Sequence, residues 1–329
     1  MKTILVSGGA GYIGSHTVQA LFERGFKVVV VDNLVTGHRD AVSSQANFYE
    51  GDINDTALIG RIIKDHQVDA VIHFAALSLV GESMIKPDLY FYENTAKTNV
   101  FIATLLSHGV NKIVFSSTAA TYGLPEEIPI PEASKTEPIN PYGASKLMIE
   151  QSMYWMEKAY GLKWIALRYF NAAGASFDGS IGEDHATETH LIPLVLKTAL
   201  GQREAISVFG TDYGTPDGTC IRDYIHVVDL AEAHILALEV LEKGMESGAY
   251  NVGTGNGYSV REVIDMAKKI TSLEIPVVDS PRREGDPDVL VAKVQRIENM
   301  LGWKARHSDL ETIISTAWQW HKGHPMGYR

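Results

Sequence analysis

A single cysteine, Cys220, in 329 residues excludes an internal disulfide framework and suits a reducing compartment. Long apolar runs are absent too: no stretch approaches the roughly 18 apolar residues that span a bilayer, so no membrane association is expected. Basic residues are scarce beside acidic ones, 29 against 40, for a net charge of −11. A surface of that sign excludes nucleic acid as the main partner, because phosphate binding on that scale needs a basic face. A small phosphorylated ligand stays compatible, since a few local donors hold it. The opening Met1-Lys2-Thr3-Ile4-Leu5-Val6-Ser7 meets glycines before a leader-like apolar stretch forms, so the cytoplasm is the expected setting. Asn54-Asp55-Thr56 matches the glycosylation triplet only by chance on that reading. Low-complexity segments and internal repeats are also missing. The 12 histidines are scattered: His73 and His226 fall in apolar strands, Glu183-Asp184-His185 reads as a solvated loop, and His321-x-x-His324 as a surface pair. No metal site is expected.

What remains is a globular composition, 45% hydrophobic and 21% charged, in a chain long enough for one large α/β unit or two smaller ones. Short β-branched runs over 3–7, 28–32, 70–74, 112–117 and 164–169 read as buried strands. Helical patterns over 13–24, 56–66, 87–107 and 142–160 lie between them. Continuous apolar strands alternating with helices predict a parallel sheet covered on both faces, and right-handed crossovers make it doubly wound. After Phe170 the rhythm loosens, with loops over 174–185 and 210–219 and shorter helices over 188–200, 228–241, 260–271 and 309–321. The expected division is a larger unit over 1–170 and a smaller α/β unit over 171–329 that mainly binds substrate, with 228–241 able to pack back on the first sheet.

Gly8, Gly11 and Gly14 fall where the first strand ends and the first helix starts. Glycines there allow a tight turn and close approach of backbone to a pyrophosphate, and the helix N-terminus offers free N–H groups. Tyr12 and Ile13 belong to the same turn. Asp32 ends the next strand, where a carboxylate accepts from a ribose diol and repels a 2′-phosphate. This is a Rossmann pattern that favours NAD over NADP. Asn33 adds a polar group, and Arg39 does not remove the Asp32 clash. Asp52 and Ile53 end a further strand near the expected adenine. Phe74, Ala75 and Ala76 supply small groups where the cofactor would pass.

Tyr142 and Lys146 stand four residues apart on one helix face. A phenol with a pKa of about 10 becomes a base at neutral pH only if its anion is favoured by ~4 kcal/mol, a shift of about three units. A neighbouring ammonium and a positive nicotinamide both act in that direction, and the phenolate can then take a proton from a sugar hydroxyl. Tyr154 and Lys158 repeat the spacing, but on an ideal helix Tyr154 lies about 18 Å and roughly 120° away from Tyr142. Tyr142 follows Asn140-Pro141 at the helix start, beside the expected cleft, whereas Tyr154-Trp155 reads as a packing face. Thr118, at the end of Phe115-Ser116-Ser117-Thr118, offers a hydroxyl to a substrate oxygen or to Tyr142.

Together these features resemble the extended short-chain dehydrogenase/reductase family, over essentially the whole chain, and within it the nucleotide-sugar epimerases. The blocks that carry the likeness are Gly11-Tyr12-Ile13-Gly14-Ser15-His16, Val71-Ile72-His73-Phe74-Ala75, Pro141-Tyr142-Gly143, Leu167-Arg168-Tyr169-Phe170-Asn171, Arg222-Asp223-Tyr224-Ile225-His226-Val227 and Pro281-Arg282-Arg283-Glu284-Gly285-Asp286. The resemblance implies 4-epimerisation of a UDP-hexose, UDP-galactose to UDP-glucose, with NAD retained through turnover. It implies that Lys146 holds the nicotinamide ribose and that Ser116, Asn94 and Phe170 lie at the nicotinamide end. Asn171 would contact the diphosphate sugar, and Arg222 and Arg283 would neutralise the phosphates, as a planar fork of donors can. Asp286 would touch the nucleotide sugar or order Arg283. Leu191, Ser207 and Phe209 would line the uracil pocket. A homodimer is implied, pairing helices over 96–107 and 142–156.

Three positions depart from the family's habit. Thr118 replaces a frequent serine and keeps the hydroxyl, while His190 precedes Leu191 where an Asn-Leu pair is common. Val289-Leu290 stands where a tyrosine closes the sugar pocket in some members, which predicts room for N-acetylated sugars. The nearest rivals are another nucleotide-sugar epimerase, a decarboxylase or a 4,6-dehydratase on the same fold. A dehydratase needs an added acid and base, yet Ala119-Ala120 follow Thr118. A non-catalytic NAD-binding sensor is the rival from a different class, and the intact Tyr–Lys pair argues against it.

Overall fold

The computed structural model describes residues 1–283 and 285–328; Glu284 of the 281–286 block lies outside them, as does Arg329. The strands are β1 (Thr3–Ser7), β2 (Lys27–Asp32), β3 (Asn47–Glu50), β4 (Ala70–His73), β5 (Lys112–Thr118), β6 (Lys163–Tyr169), β7 (Asn171–Ala173), β8 (Ile206–Phe209), β9 (Ile221–Arg222), β10 (Tyr224–His226), β11 (Gly248–Val252), β12 (Tyr258–Ser259), β13 (Val277–Ser280) and β14 (Val289–Leu290). The helices are α1 (Tyr12–Glu23), α2 (Thr56–His66), α3 (Val80–Ile85), α4 (Pro87–Tyr90), α5 (Lys97–Ser107), α6 (Pro141–Tyr160), α7 (Leu191–Ala199), α8 (Val227–Glu242), α9 (Val260–Thr271), α10 (Gln295–Leu301) and α11 (Leu310–Gly323).

Seven parallel strands form one sheet in the order β11-β6-β5-β4-β1-β2-β3. Its central strands are apolar along their length because both faces are covered: Ile4, Val6, Val28 and Val30 pack with α1 and α8 on one side. Leu5, Val29, Val31 and Val71 pack with α2, α5 and α6 on the other. A third core joins α7, α9 and α11 around β8 and β10. The chain reverses its order of strand addition between β1 and β4, and the crevice outside their C-terminal ends is where such sheets bind ligands.

Local chemistry sets the helix ends that matter for the site. Asp55 caps α2 by accepting from Leu58 N at 2.9 Å. At α6, Asn140 accepts from Gly143 N at 2.8 Å and Pro141 occupies the first turn, where its missing N–H costs nothing. The helix expected over 87–107 is interrupted by a π-helical turn, Phe91–Ala96, which swings Asn94 inward to complete burial. β11, absent from the expectation, forms the sheet's edge from a segment flanked by glycines and too short to show periodicity. Among the described residues no helix is long and apolar enough to cross a membrane.

Candidate active site

Close packing builds the glycine turn at the end of β1. Gly8 has φ +74°, and a Cβ there would stand 2.5 Å from the Ala75 nitrogen; one on Gly14 would stand 2.1 Å from the Gly8 oxygen. No side chain caps α1 at Gly11, so its first N–H groups are left for an anion. Tyr12 leans out of the turn and donates to the Gly174 oxygen at 2.7 Å, while Ile13 packs toward the core.

Asp32 lies at the end of β2, buried, accepting from Ala10 N at 2.9 Å and Leu34 N at 2.8 Å. Burial raises its pKa against those two donors. The Arg39 guanidinium lies 4.5 Å over the Phe48 ring and donates to the Val42 oxygen at 3.2 Å, and among the described residues it makes no ion pair with Asp32. Asn33 reaches Asp52 at 3.4 Å, and Asp52 pairs with Lys97 at 2.6 Å, which holds its carboxyl below the usual range despite the opposing effect of burial. Ile53 is buried beside it, and Phe74, Ala75 and Ala76 line the chain as it leaves β4 half-buried. Uncapped N–H groups, a glycine cradle that a Cβ would fill and a buried carboxylate at the end of β2 together fit a dinucleotide such as NAD.

Tyr142 and Lys146 project from the first turns of α6 toward the end of β5. Gly143 makes this approach possible: a Cβ there would meet the Ala120 oxygen at 2.4 Å. The Thr118 hydroxyl, which accepts from Ala120 N at 3.1 Å, stands beside Tyr142. Burial raises the Tyr142 pKa, and the neighbouring Thr118 hydroxyl partly offsets that. Lys146 is 2% exposed, donates to the Ser116 oxygen at 2.9 Å, and lies 5.0 Å from the Phe115 ring. Burial pulls its ammonium down to about 7. The same charge adds to burial in holding His73 at about 3, neutral between Ser7 Oγ at 2.6 Å and Thr98 Oγ1 at 2.8 Å. His73 and His226, which bonds Thr316 Oγ1 at 3.0 Å, thus have the satisfied core roles read for them. The phenol needs a further positive charge beside it to ionise near neutrality.

Asn94 accepts from Leu77 N at 2.8 Å and donates to the Leu77 oxygen and to Ser145 Oγ, both at 3.0 Å. Its amide therefore ties the π turn to α6 between Tyr142 and Lys146. Ser116 bonds the Tyr169 hydroxyl, and Phe170 and Leu290 pack beside Ala119, Tyr122 and Ile130. Asn171 opens β7, half-buried, and its N–H donates to the Asp223 oxygen at 3.0 Å.

A second group of residues comes from the later segments. Arg222 reaches Asp286 Oδ1 at 2.5 Å, and the Arg283 guanidinium lies 4.0 Å over the Phe209 ring. Ser207 and Phe209 share the half-buried face of β8, which pairs with β13 just before Arg283. Leu191 begins α7.

Several expectations need correction. His321 is buried, not on the surface, and His324 stacks on Trp320 with ring centroids 3.8 Å apart. Glu183 is buried and His185 half-buried within a cluster, because Glu188 and His190 fold back on them. α7 begins at Leu191, three residues later than expected, since Glu188 Oε1 accepts from Thr189 N and His190 N and holds that stretch out of the helix. Tyr154 and Trp155 meet each other edge-on at 5.2 Å and stay 46% and 68% exposed, so the face they form is not covered by the rest of the described chain.

Two sets of supporting residues went unassigned in the sequence. Glu150, one turn beyond Lys146, binds Arg168 and Ser117, and Arg168 Nη1 reaches the Tyr122 hydroxyl at 3.0 Å. Asp223 accepts from Thr254 N, Gly255 N and Ala292 N, fastening two loops beside Arg222. A charged residue at a buried register position was the available signal in both cases.

A parallel sheet with a glycine turn at its switch point, joined to a Tyr–Lys pair on the adjoining helix, defines a nucleotide-dependent enzyme of the short-chain dehydrogenase type. The chain belongs to the NAD dependent epimerase/dehydratase family, which it matches over residues 4–253. It is 54% identical to the UDP-glucose 4-epimerase of Halalkalibacterium halodurans over 325 residues, 99% of this chain and 97% of that one. A crystal structure of a UDP-glucose 4-epimerase at 51% identity superposes with a TM-score of 0.98 over 100% of both chains. The UDP-glucose 4-epimerase of Brucella ovis, crystallised in complex with NAD, superposes with a TM-score of 0.95 at 46% identity, covering 97% of this chain and 98% of that one.

Proposed function

We propose that this protein is an NAD-dependent isomerase that inverts the 4-hydroxyl of a UDP-hexose, interconverting UDP-galactose and UDP-glucose. The observation that carries the reading is the convergence of Thr118, Tyr142 and Lys146 on the crevice that the glycine turn and Asp32 line. Gly8, Gly11 and Gly14 with the α1 N–H groups hold the pyrophosphate of NAD, Asp32 and Asn33 the adenosine ribose, and Asp52 and Ile53 border the adenine. Bound there, NAD supplies a reversible hydride acceptor, so the net redox change is zero.

The chain's own residues handle the proton and the orientation. Thr118 holds the 4-oxygen, and the Tyr142 phenolate takes its proton through Oη and returns it in the second half-reaction. Lys146 keeps that phenolate charged, while Ser116 and Asn94 fix the helix that presents both. Arg222 and Arg283 grip the diphosphate, and Leu191, Ser207 and Phe209 surround the base. The 4-keto sugar can then turn about its diphosphate linkage while the nucleotide stays clamped. Ala119 and Ala120, which follow Thr118, offer no acid or base for a dehydration.

The experiment is to give the purified protein UDP-galactose without added NAD and to follow UDP-glucose by chromatography. Conversion is the expected result; its absence from protein that contains NAD would move the assignment to another nucleotide sugar. Assembly is proposed as a cytoplasmic homodimer through α5 and α6, whose Val100, Met148, Tyr154 and Trp155 are more than a third exposed in the single chain. Light scattering checks it, with a mass near twice 36.1 kDa expected.

A further inference from the structure

The loop between Gly182 and α7 gathers four potential ligands outside the crevice. Glu183, His185, Glu188 and His190 each turn one donor atom inward, and all four donors lie within 4.8 Å of one another. His185 Nδ1 stands 3.4 Å from Glu183 Oε1 and 3.2 Å from Glu188 Oε2. His190 Nδ1 stands 2.9 Å from Glu183 Oε1 and 2.9 Å from Glu188 Oε1. An imidazole Nδ1 carries at most one hydrogen, so two rings cannot make four full hydrogen bonds. Glu183 is 5% exposed, and among the described residues no backbone N–H or hydroxyl donates to its carboxylate. A buried carboxylate in that position calls for a cation.

We propose that Glu183, His185, Glu188 and His190 bind one zinc ion per chain, a structural cation that fastens the 183–190 loop between the glycine turn and α7. Tetrahedral zinc with bonds of about 2.0–2.1 Å sets its donor atoms about 3.3 Å apart. With Glu188 Oε2 as the fourth donor, three imidazole–carboxylate separations here are 3.4, 3.2 and 2.9 Å, and all donors lie within 4.8 Å of one another. Two neutral imidazoles and two carboxylates neutralise a divalent ion. Their mixed nitrogen and oxygen character suits zinc and disfavours calcium or magnesium, which prefer all-oxygen sets. Glu188 is already oriented by Thr189 N at 2.8 Å and His190 N at 2.7 Å, the kind of outer support that metal ligands need. A cleft of about 380 Å³ lined by Glu183, Glu188 and His321 gives the ion an entry path.

The site departs from the expectation of no metal, and four protein ligands make it structural, not catalytic. Its position gives it a purpose. The His185 ring meets Tyr12 of the glycine turn edge-on at 6.5 Å, His38 bonds the Asp184 oxygen at 3.0 Å, and His190 leads directly into Leu191. A fixed loop therefore links the cofactor turn to the helix proposed to border the base.

The test uses tag-free protein with its cofactor, dialysed against a chelator and then supplied with zinc chloride or cobalt(II) chloride. One zinc per chain by elemental analysis is expected, with X-ray absorption showing nitrogen and oxygen neighbours near about 2.0 Å and no sulfur. Cobalt should give visible absorption of tetrahedral intensity, and zinc should raise Tm in a way the chelator reverses. The double substitution His185→Gln/His190→Asn should weaken zinc binding by more than about a hundredfold, beyond what loss of an outer-shell partner causes. Wild-type protein that takes up no stoichiometric zinc, or a folded variant that binds it equally well, would overturn the proposal and leave two protonated imidazoles as the cluster's cations. The wild-type absorption spectrum decides the matter even if the variant fails to fold.

Discussion

Replacing Glu150 with glutamine tests whether the site rests on a buried ion pair. Glu150 and Arg168 have side chains only 6% and 8% exposed. The carboxylate accepts from Arg168 Nε at 3.0 Å, from Nη2 at 2.5 Å and from Ser117 Oγ at 2.5 Å. Glu150→Gln keeps the shape but leaves the guanidinium without its counter-charge, and breaking one partner of such a pair costs about 3–5 kcal/mol. At about 2 °C per kcal/mol for a domain of this size, Tm should fall by roughly 6–10 °C. Differential scanning calorimetry at neutral pH reads this directly. Ser117 adjoins Thr118, and Lys146 lies one turn before Glu150, so turnover should fall as well. The joint change Glu150→Leu/Arg168→Met should recover most of the stability, because an apolar pair needs no compensation. A Tm loss below about 2 °C in the single variant would mean that water reaches Arg168, and the reasoning from burial would be refuted.

Tyr142→Phe should retain the fold by circular dichroism and lose turnover by about 10²–10⁴-fold, the usual contribution of a positioned acid–base group; near wild-type rates would remove Tyr142 from that role. Burial holds Lys146 at about 7, well under its unfolded value, so between those two pKa values the unfolded chain binds the extra proton and stability rises with pH. Cofactor-stripped Lys146→Met should therefore melt above wild type at pH 7, with the gap narrowing toward pH 10; a gap independent of pH would contradict the burial argument. Leu290 packs beside Phe170 and Tyr122, so wild type should turn over UDP-N-acetylglucosamine and Leu290→Tyr should lose that activity first while keeping UDP-galactose. Failure of the wild type on the N-acetylated sugar, with UDP-galactose handled, would defeat the pocket reading.

The sheet was legible because its signal is local and redundant. β1 and α2 occur over the residues expected for them, since fully buried parallel strands are continuous apolar runs and Asp55 marks the helix start. The glycine turn, Asp32 and the Tyr142–Lys146 pair were visible for a related reason: each lies at the junction of a strand and a helix, where chemistry and chain geometry restrict the same few positions. Tyr154 illustrates the limit of spacing alone. It shares the motif with Tyr142 but lies far along α6 and is 46% exposed.

What the sequence concealed depends on contacts between distant segments. Nothing near Glu150 announces Arg168, 18 positions away, and nothing near Tyr122 announces Asn251, whose Oδ1 accepts its hydroxyl at 2.7 Å. The 183–190 loop shows the same difficulty at short range. Periodicity extends a helix back to Glu188, and polarity suggests solvent, yet the Glu188 carboxylate binds the next two backbone N–H groups and turns the chain inward. A polar side chain that captures its own backbone competes with the helix, and the outcome turns on burial partners that no local pattern encodes. The groups proposed for the crevice thus stand at strand–helix junctions that local sequence marks, whereas the groups that hold them in place emerged only once the chain was folded.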